Sequence, residues 1–342
     1  MRSIRCAVAA LLLIPALAGG AEAGPRDVAI RVAERFAVPR YQALAASARA
    51  EAKRFATACA APGDQAIAEV KAGFHATADA WNAVALLRYG PVADDFRAEN
   101  LYHWPERKNA TTKALGALLS GSEAVTVETI AGSSAGLQGL PALERVLFED
   151  GATFSGPGGA RRCAIGAAIA GNIARMADDI VTGWTGNGGL MARLRGGDDA
   201  SAVEAVTRFA TDYVTSAQFN TDTRISPVLG TGPTAAKPQA GEMWRSGRSS
   251  RALRLETEAA HDLLLLLIEG GTGIDKAVAA SADTRRIAAT LPPDFAAAAQ
   301  DAAGRKPFVA LRDAIREARD EAVKAMPGAL GITLGFNSLD GD

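Results

Sequence analysis

The sequence predicts an all-α protein of two helical bundles that ends in a short extended segment. Along most of the 342 residues, apolar side chains recur at three- and four-residue spacing, which is typical of amphipathic helices. Many of these segments are rich in alanine, the residue with the highest helix propensity. Strand-like residues are confined to 124–130, and one such passage is too little to form a sheet.

The composition indicates a globular protein without a nucleic-acid partner. Hydrophobic residues make up 48% of the chain and charged residues 22%, which is the balance of a folded protein. The net charge of −1 provides no field that would attract nucleic acid or an anionic membrane. A chain of this length can form two domains of ordinary size.

Residues 1–23 have the pattern of a secretory signal peptide. Arg2 and Arg5 precede an apolar run over 7–18, and 21–23 form a small-x-small cleavage site. The apolar run is too short to span a bilayer as a helix. Cys6 lies ahead of this run, whereas the modified cysteine of a lipoprotein lies at the cleavage point. The sequence therefore predicts a periplasmic protein that is not a lipoprotein.

Two cysteines, Cys59 and Cys163, remain after cleavage of that segment. In an oxidising compartment an isolated pair forms a disulfide more often than a metal or redox site. We therefore expect Cys59 and Cys163 to be bonded to each other.

The first half of the chain reads as a helical bundle over 24–150. Helices are predicted over 28–61 and 65–89, and Pro62-Gly63 between them indicates an antiparallel hairpin. Pro39 is expected to kink or interrupt the first of them. An aromatic loop at 101–105 precedes a further helix over 106–119.

A central helix is predicted to begin at Pro141, because proline suits the first helical turn. Leu143, Leu147 and Phe148 continue its apolar stripe, and Glu144 stands at the edge of that stripe. A carboxylate half inside a helical core needs a partner, since an unpaired buried charge is costly. Glu144 is therefore either an ordinary surface residue or part of a site.

A Gly/Ser/Pro linker over 151–159 marks the predicted boundary between the two helical bundles, and residues 160–342 form the second bundle. Asp262 and Glu269 bound an apolar run, which predicts a fully buried helix and not a membrane span. The long loop predicted over 221–239 is of a kind that is often functional. The helices predicted in this half cover 161–184, 200–218, 249–270, 277–291, 294–302 and 307–325.

The C-terminal tail breaks the helical pattern. Leu330, Ile332, Leu334 and Phe336 alternate along it, as in an extended segment docked on one face. A docked tail would hold its carboxylates, those of Asp340, Asp342 and the chain terminus, in fixed positions.

A turn over 243–251 carries three arginines and three serines ahead of a helix. Helix N-termini attract anions, and arginine adds planar bidentate donors. The turn is either a solvated basic cap or a partner for acids, with Arg245 or Arg248 paired to Glu144 or to the tail.

Residues 132–136 match Gly-x-Ser-x-Gly, in which Ser134 would be the nucleophile of a serine hydrolase, with His261 and an Asp as partners. That turn requires a parallel sheet, which the sequence does not predict. Small residues clustered at a helix entrance explain the match more simply.

Metal-binding motifs of the His-Glu-x-x-His and Cys-x-x-Cys types are absent from the sequence. His75 and Asp79 share a helical face, but such a pair is more often a solvated hydrogen bond. Of the three histidines, His103 is favoured for a site because it lies beside Trp104 in the aromatic loop.

Several segments together resemble the imelysin-like proteins, a family also called peptidase family M75. In chain order they are Ala80-Trp-Asn-Ala, Arg88-Tyr-Gly-Pro91, His103-Trp-Pro105, Gly139-Leu-Pro-Ala-Leu-Glu144, Leu147-Phe148, Met243-Trp-Arg-Ser246 and Gly335-Phe-Asn-Ser-Leu-Asp-Gly-Asp342. The resemblance implies two helical bundles with a site between them, named for the motif Gly-x-His-x-x-Glu. Gly139 and Glu144 are in register with that motif, but Pro141 occupies the histidine position and offers no ligand.

The resemblance thus implies a binding protein rather than a peptidase, because the motif histidine is missing. It also implies a link to bacterial iron acquisition, with envelope iron-transport components as partners. The expected ligand is a small molecule, iron or another divalent metal, or a metal complex held by oxygen donors such as Glu144. An M75-type metallopeptidase is the alternative function. The residues expected to line the site are Glu144, His103, Trp104, Arg245, Ser246, Ser249, Asn337 and Asp340.

Overall fold

The computed structural model describes residues 24–106 and 108–333. This part of the chain is helical, without a strand, which confirms the predicted all-α class. The predicted signal peptide and the tail residues Asn337 and Asp340 lie outside the described residues.

The first half of the described chain contains eight helices. In chain order they are α1 (Pro25–Val32), α2 (Val38–Ala60), α3 (Asp64–Asn82), α4 (Arg97–Leu101), α5 (Ala110–Ser120), α6 (Val127–Ala131), α7 (Ala135–Gln138) and α8 (Leu140–Phe148).

Eight further helices follow in the described part of the second half. They are α9 (Gly159–Thr185), α10 (Leu190–Gly196), α11 (Asp199–Phe219), α12 (Ser226–Leu229), α13 (Ser249–Ile268), α14 (Asp275–Ala289), α15 (Phe295–Gln300) and α16 (Lys306–Leu330).

Pro39 does not end the first helix. It stands in the first turn of α2, and α1 runs into α2 through a π-helical turn at Ala33–Ala37. Proline lacks the N–H that would bond to the preceding turn, and the wider π turn accommodates that missing bond. The helix therefore continues past the proline.

Helix α9 packs along α2 and against α8, so the core extends across the predicted linker. The Cys59–Cys163 disulfide joins α2 to α9, with a Cα–Cα distance of 5.6 Å. One cluster of buried apolar side chains runs from Val28 to Ile332. The two-bundle division at 151–159 therefore stays a prediction.

A second, smaller cluster lies within the C-terminal half. It is centred on Phe295 and Phe308, whose rings stack 3.9 Å apart. It packs α15 and the start of α16 against α12.

The prediction of a strand-like passage at 124–130 is wrong. Val127–Ala131 forms α6, and the threonines cap it instead of extending the chain. The hydroxyl of Thr126 accepts the N–H of Thr129, and the hydroxyl of Thr129 accepts the N–H of Thr126. Such a reciprocal cap satisfies two donors that the first turn of a helix leaves free.

The predicted ends of several other helices and loops also differ from the structure. Helix α3 ends at Asn82, seven residues early, because a series of turns follows it and Gly90 takes a left-handed conformation at φ +85°. The start of the predicted 221–239 loop is a π-helical turn and α12. Leu330 belongs to α16 and not to an extended tail, although Ile332 beyond it is buried.

Most of the leucine run of α13 is buried as predicted, but Leu265 is 36% exposed, and Arg251 in the first turn of the helix is exposed as well. None of the described helices has the combination of length and hydropathy that a membrane span requires.

Candidate functional site

Gly139 brings the central helix α8 against the aromatic loop. A Cβ atom at Gly139 would lie 2.2 Å from the carbonyl oxygen of Leu101 and 2.4 Å from that of Asn100. Only glycine permits this approach of two backbones, since neither carbonyl can move without moving its helix. The loop that begins at Tyr102 is thereby held beside Glu144.

The carboxylate of Glu144 is buried, with 5% of the residue exposed. Its hydrogen-bond partner is Ser246, which is 102 positions away in the sequence. Its Oε1 accepts the backbone N–H of Ser246 at 2.9 Å and the Ser246 hydroxyl at 2.6 Å. Burial raises the pKa of Glu144, while the two Ser246 hydrogen bonds and the nearby guanidinium of Arg245 act in the opposite direction. Glu144 is therefore a buried, partnered acid and not a surface residue.

A tight turn aims Ser246 at Glu144. Met243 adopts a left-handed conformation at φ +50°, and its carbonyl oxygen accepts the hydroxyl of Ser246 at 3.1 Å and the N–H of Arg248 at 3.0 Å. Ser249 donates its hydroxyl to the carbonyl of Glu242. Ser249 thus stabilises the turn and is not among the residues that line the cavity, contrary to the prediction.

A cavity of about 440 Å³, here called the Glu144 cavity, opens above this carboxylate. Residues from both halves of the chain line it, and they combine aromatic rings with charged groups. The aromatic ones are Tyr102, His103, Trp104 and Trp244, and the charged ones are Glu106, Glu144, Arg145, Asp222 and Arg245.

Two arginines flank Glu144, and each has a carboxylate of its own. Arg145 pairs with Glu106, and both side chains are largely buried. Arg245 lies over the Trp244 ring at 4.3 Å and 3.4 Å from a carboxylate oxygen of Glu149. Burial and the neighbouring Arg145 lower the pKa of Arg245. The cavity lining thus holds two guanidiniums among the carboxylates of Glu106, Glu144 and Asp222.

A buried ionic network lies behind the Glu144 cavity. The guanidinium of Arg224 pairs with Glu242 and, at 2.7 Å, with Glu256. Burial and the neighbouring Glu242 raise the pKa of Glu256, Arg224 lowers it, and the net result is a pKa of about 8. Arg224 also lies 4.6 Å from the centroid of the Phe219 ring. The Phe219 ring meets the Trp104 ring edge to face at 6.0 Å, so the network supports the cavity wall.

The sequence analysis did not find this network. Its three charged residues are separated by 18 and 14 positions (242 − 224 and 256 − 242), and no local motif links them. The only signal available was the length of the loop predicted over 221–239, which contains Arg224.

The site brings together most of the residues that the sequence predicts for it. His103, Trp104 and Arg245 line the cavity with Glu144, and Ser246 binds Glu144 directly. Arg248 points elsewhere and pairs with Asp79 of α3. Asn337 and Asp340 lie outside the described residues.

The described side chains do not form a metal centre. No cluster of three or more His, Cys, Asp or Glu residues in 24–106 and 108–333 is arranged to hold an ion. His103 is hydrogen-bonded through Nδ1 to Glu99 at 2.6 Å, and Pro141 lines the cavity without a ligand atom. Glu144 is one of three carboxylates that line the cavity, with Glu106 and Asp222, among arginines and aromatic rings.

The described structure gives the serine hydrolase alternative no support. Ser134 is exposed at the start of α7, and the passage before it is helical. His261 is buried in α13, where its Nδ1 is 2.9 Å from the Ser281 hydroxyl. Without a sheet in the described chain, nothing holds the strained turn that a nucleophilic serine requires.

The described chain is an all-helical protein with a cavity around a buried glutamate. Comparison with known proteins gives its family. The Imelysin family model, also designated peptidase M75, matches residues 37–327. The chain belongs to the Imelysin family.

Two solved structures share the fold. One is an imelysin-like protein from Psychrobacter arcticum 273-4, with 19% identity, a TM-score of 0.76, and coverage of 91% of this chain and 97% of that one. The other is described as a "putative iron-regulated protein A precursor" from Parabacteroides distasonis ATCC 8503. It has 14% identity, a TM-score of 0.69 and the same coverage of 91% and 97%. A comparison with curated proteins gives no match.

Proposed function

We propose that this imelysin-like protein is a periplasmic binding protein whose Glu144 cavity holds a small anionic ligand or metal complex, and that it serves iron acquisition. The observation that carries the proposal is the buried Glu144 carboxylate, held by Ser246 at the base of a cavity that also contains two arginines. The volume of about 440 Å³ is in the range of small-molecule sites.

The donor set favours a complex over a bare metal ion. A bare ion would need three or more protein ligands, and no such cluster exists among the described residues. A carboxylate-bearing iron complex brings its own oxygen donors and carries negative charge. Arg145, whose Nε and Nη1 have no hydrogen-bond partner among the described residues, and Arg245 can donate to such a complex, and Trp104 and Trp244 can contact its organic part.

The link to iron is supported by the Parabacteroides distasonis relative, which is described as a "putative iron-regulated protein A precursor". The periplasmic location is supported by the signal-peptide pattern of residues 1–23. Mass spectrometry of the exported protein tests that location. Cleavage after Ala23 would give a mature chain that begins at Gly24, and an uncleaved chain in the cytoplasm would contradict it.

Calorimetry with the purified mature protein tests the ligand. The probes are ferric citrate, citrate without iron, and ferrous ion alone. We expect ferric citrate to bind, and we expect Glu144→Gln and Arg245→Gln to lower the affinity for ferric citrate. The control Glu128→Gln, at an exposed position of α6, should leave that affinity unchanged. Binding of the bare ion alone would contradict the proposed complex.

The same preparation distinguishes a binding protein from the metallopeptidase alternative. Incubation with unfolded casein should leave the casein intact. Cleavage that is lost on addition of a chelator and lost again in Glu144→Gln would overturn the binding function in favour of a peptidase.

A further inference from the structure

The buried Arg224 network, made of Arg224, Glu242 and Glu256, places one guanidinium between two carboxylates. None of the three residues is more than 5% exposed. They come from three separate elements, which are the π-helical turn after α11, the loop before α13, and α13 itself. The proposed function uses this network only as a support of the cavity wall.

The two carboxylates of the network are held unequally. Arg224 donates Nε and, at 3.3 Å, Nη2 to the two oxygens of Glu242. The same Nη2 lies 2.7 Å from Oε1 of Glu256, but this buried oxygen has no aligned hydrogen bond to any described residue. Because a buried ionised carboxylate needs donors, Glu242 is the acid that the network keeps ionised, and Glu256 is the acid that takes up a proton.

The charged groups around Glu256 agree with this assignment. Burial and Glu242 raise the pKa of Glu256, Arg224 and the more distant Arg88 lower it, and the net value is about 8. Burial and the charge of Glu242 also raise the pKa of the Tyr102 hydroxyl, so Tyr102 stays neutral beside the network. The cluster therefore exchanges one proton, at Glu256, near neutral to mildly alkaline pH.

Aromatic rings connect the network to the Glu144 cavity. The guanidinium of Arg224 lies 4.6 Å from the centroid of the Phe219 ring and 5.8 Å from that of the Trp104 ring. Phe219 meets Trp104 edge to face at 6.0 Å, and Trp104 lines the cavity. Since packed interiors transmit displacements, a movement of the guanidinium changes the contact that positions Trp104.

Ionisation of Glu256 changes the forces on Arg224. An ionised Glu256 offers Nη2 a charge-assisted hydrogen bond that the protonated acid does not offer. The guanidinium is planar and rigid, so it must turn to align Nη2 with Glu256 and then loosens its bond from the same nitrogen to Glu242. The turn alters the contact of the guanidinium with the Phe219 ring.

We propose that the Arg224 network is a protonation switch, in which loss of one proton from Glu256 turns Arg224 and repositions Trp104 in the wall of the Glu144 cavity. With Glu256 protonated, Arg224 stays on Glu242 and against Phe219. With Glu256 ionised, Arg224 turns to Glu256, and Phe219 and Trp104 follow. The switch regulates the shape of the cavity, and only its consequence for ligand affinity rests on the proposed function.

Fluorine NMR of the full mature protein, labelled with 5-fluorotryptophan and free of ligand, tests the switch. The chain has four tryptophans, and Trp104→Phe identifies the signal of Trp104. We expect that signal to shift with a single midpoint near pH 8, the pKa of Glu256. Glu256→Gln, which mimics the protonated acid, should abolish the midpoint and leave the signal at its low-pH position.

Glu51→Gln is the matched control, because Glu51 is a second buried glutamate, 1% exposed in α2, whose pKa burial raises to about 8. It should leave the midpoint at Trp104 unchanged, which excludes a general loosening of the core at alkaline pH. His103→Gln removes the imidazole next to Trp104 and should also leave that midpoint in place.

Circular dichroism shows whether Glu256→Gln folds. If it does not, Phe219→Leu decides, because it leaves Glu256 in place and removes the ring that connects Arg224 to Trp104. We expect the pH-dependent shift of the Trp104 signal to be lost in this variant.

The proposal is overturned if the Trp104 signal has no midpoint near pH 8, or if the midpoint persists in the decisive variant. Its loss in Glu51→Gln or His103→Gln would also overturn it, because another group would then be the source. Since no ligand is present, a failure of ferric citrate to bind would leave the switch standing. A Trp104 signal without a midpoint would likewise leave the proposed function standing.

Discussion

Ser246 binds one oxygen of Glu144 twice, through its backbone N–H at 2.9 Å and its hydroxyl at 2.6 Å, across 102 positions of sequence. The backbone bond persists whatever residue occupies position 246, whereas the hydroxyl bond depends on serine. The two contacts can therefore be separated by substitution.

Ser246→Ala should raise the pKa of Glu144 further, since a hydrogen bond that favours the ionised form is removed. If ferric citrate binding requires the carboxylate, its affinity should fall by about tenfold, and its pH midpoint should move to higher pH. Calorimetry over a pH series measures both. Ser120→Ala is the control, because the exposed Ser120 bonds only within α5, to the carbonyl of Gly116, and an equal loss of affinity there would contradict the assigned role of Ser246.

Gly139→Ala should destabilise the protein and weaken ligand binding. The added methyl group would meet two backbone carbonyls, which cannot swing away as a side chain can. We expect a loss of about 1–3 kcal/mol in the free energy of unfolding, measured by urea denaturation. Gly116→Ala in the interior of α5 meets nothing within 4 Å and should be neutral or stabilising. Equal effects of the two substitutions would refute the proposed close approach.

Glu51 should make stability fall as the pH rises. It is 1% exposed in α2, its carboxylate has no hydrogen-bond partner among the described residues, and burial raises its pKa from 4.5 to about 8. Folding thus favours the protonated form. The contribution of protonated Glu51 to the stability of the fold is complete below pH 4.5 and is lost as the pH rises towards 8.

Glu51→Gln should remove this pH-dependent loss of stability. The gain in the free energy of unfolding that the substitution brings should be roughly 2–4 kcal/mol larger at pH 8 than at pH 4. Thermal and urea unfolding at both pH values measure the difference. Glu69→Gln at an exposed position of α3 should show no such difference. Parallel pH profiles for Glu51→Gln and the unchanged protein would disprove the titration.

Arg224→Met should be strongly destabilising, because it leaves the carboxyl groups of Glu242 and Glu256 buried without their shared cation. Breaking one partner of a buried ion pair costs about 3–5 kcal/mol. Urea denaturation measures the loss. Arg316→Met is the control, since Arg316 forms an exposed pair with Asp222 at 3.4 Å and should lose no more than about 1 kcal/mol. A similarly small loss for Arg224→Met would argue against the network.

Removal of the Cys59–Cys163 disulfide should lower the free energy of unfolding by about 4–5 kcal/mol, because the bond closes a loop with a sequence separation of 104. The measurement compares the Cys59→Ser/Cys163→Ser variant with the unchanged protein, each with and without reductant. Only the unchanged protein should respond to the reductant. Two free thiols in the unfolded, unreduced protein would contradict the bond.

The helices and the fold class could be predicted from the sequence because hydrophobic periodicity and capping are local signals. The spacing of Leu143, Leu147 and Phe148 is sufficient to predict α8, and Gly139 and Pro141 mark where it begins. The same local reasoning failed at 124–130, where threonine residues are compatible with either a strand or a helix cap. Packing against the surrounding helices determined that this passage forms a capped helix and not a strand.

The position of Glu144 at the edge of an apolar stripe was also readable from the sequence, and so were the aromatic loop and the turn at 243–251. Their assembly was not. The hydrogen bond between Glu144 and Ser246 and the ion pair between Arg224 and Glu256 each join residues that are distant in the chain. Because no periodic pattern relates such positions, packing of the helices alone determines which charged groups meet. The sequence by itself therefore determined the helices and the acid at the centre of the site, and the tertiary structure decided the partners of that acid.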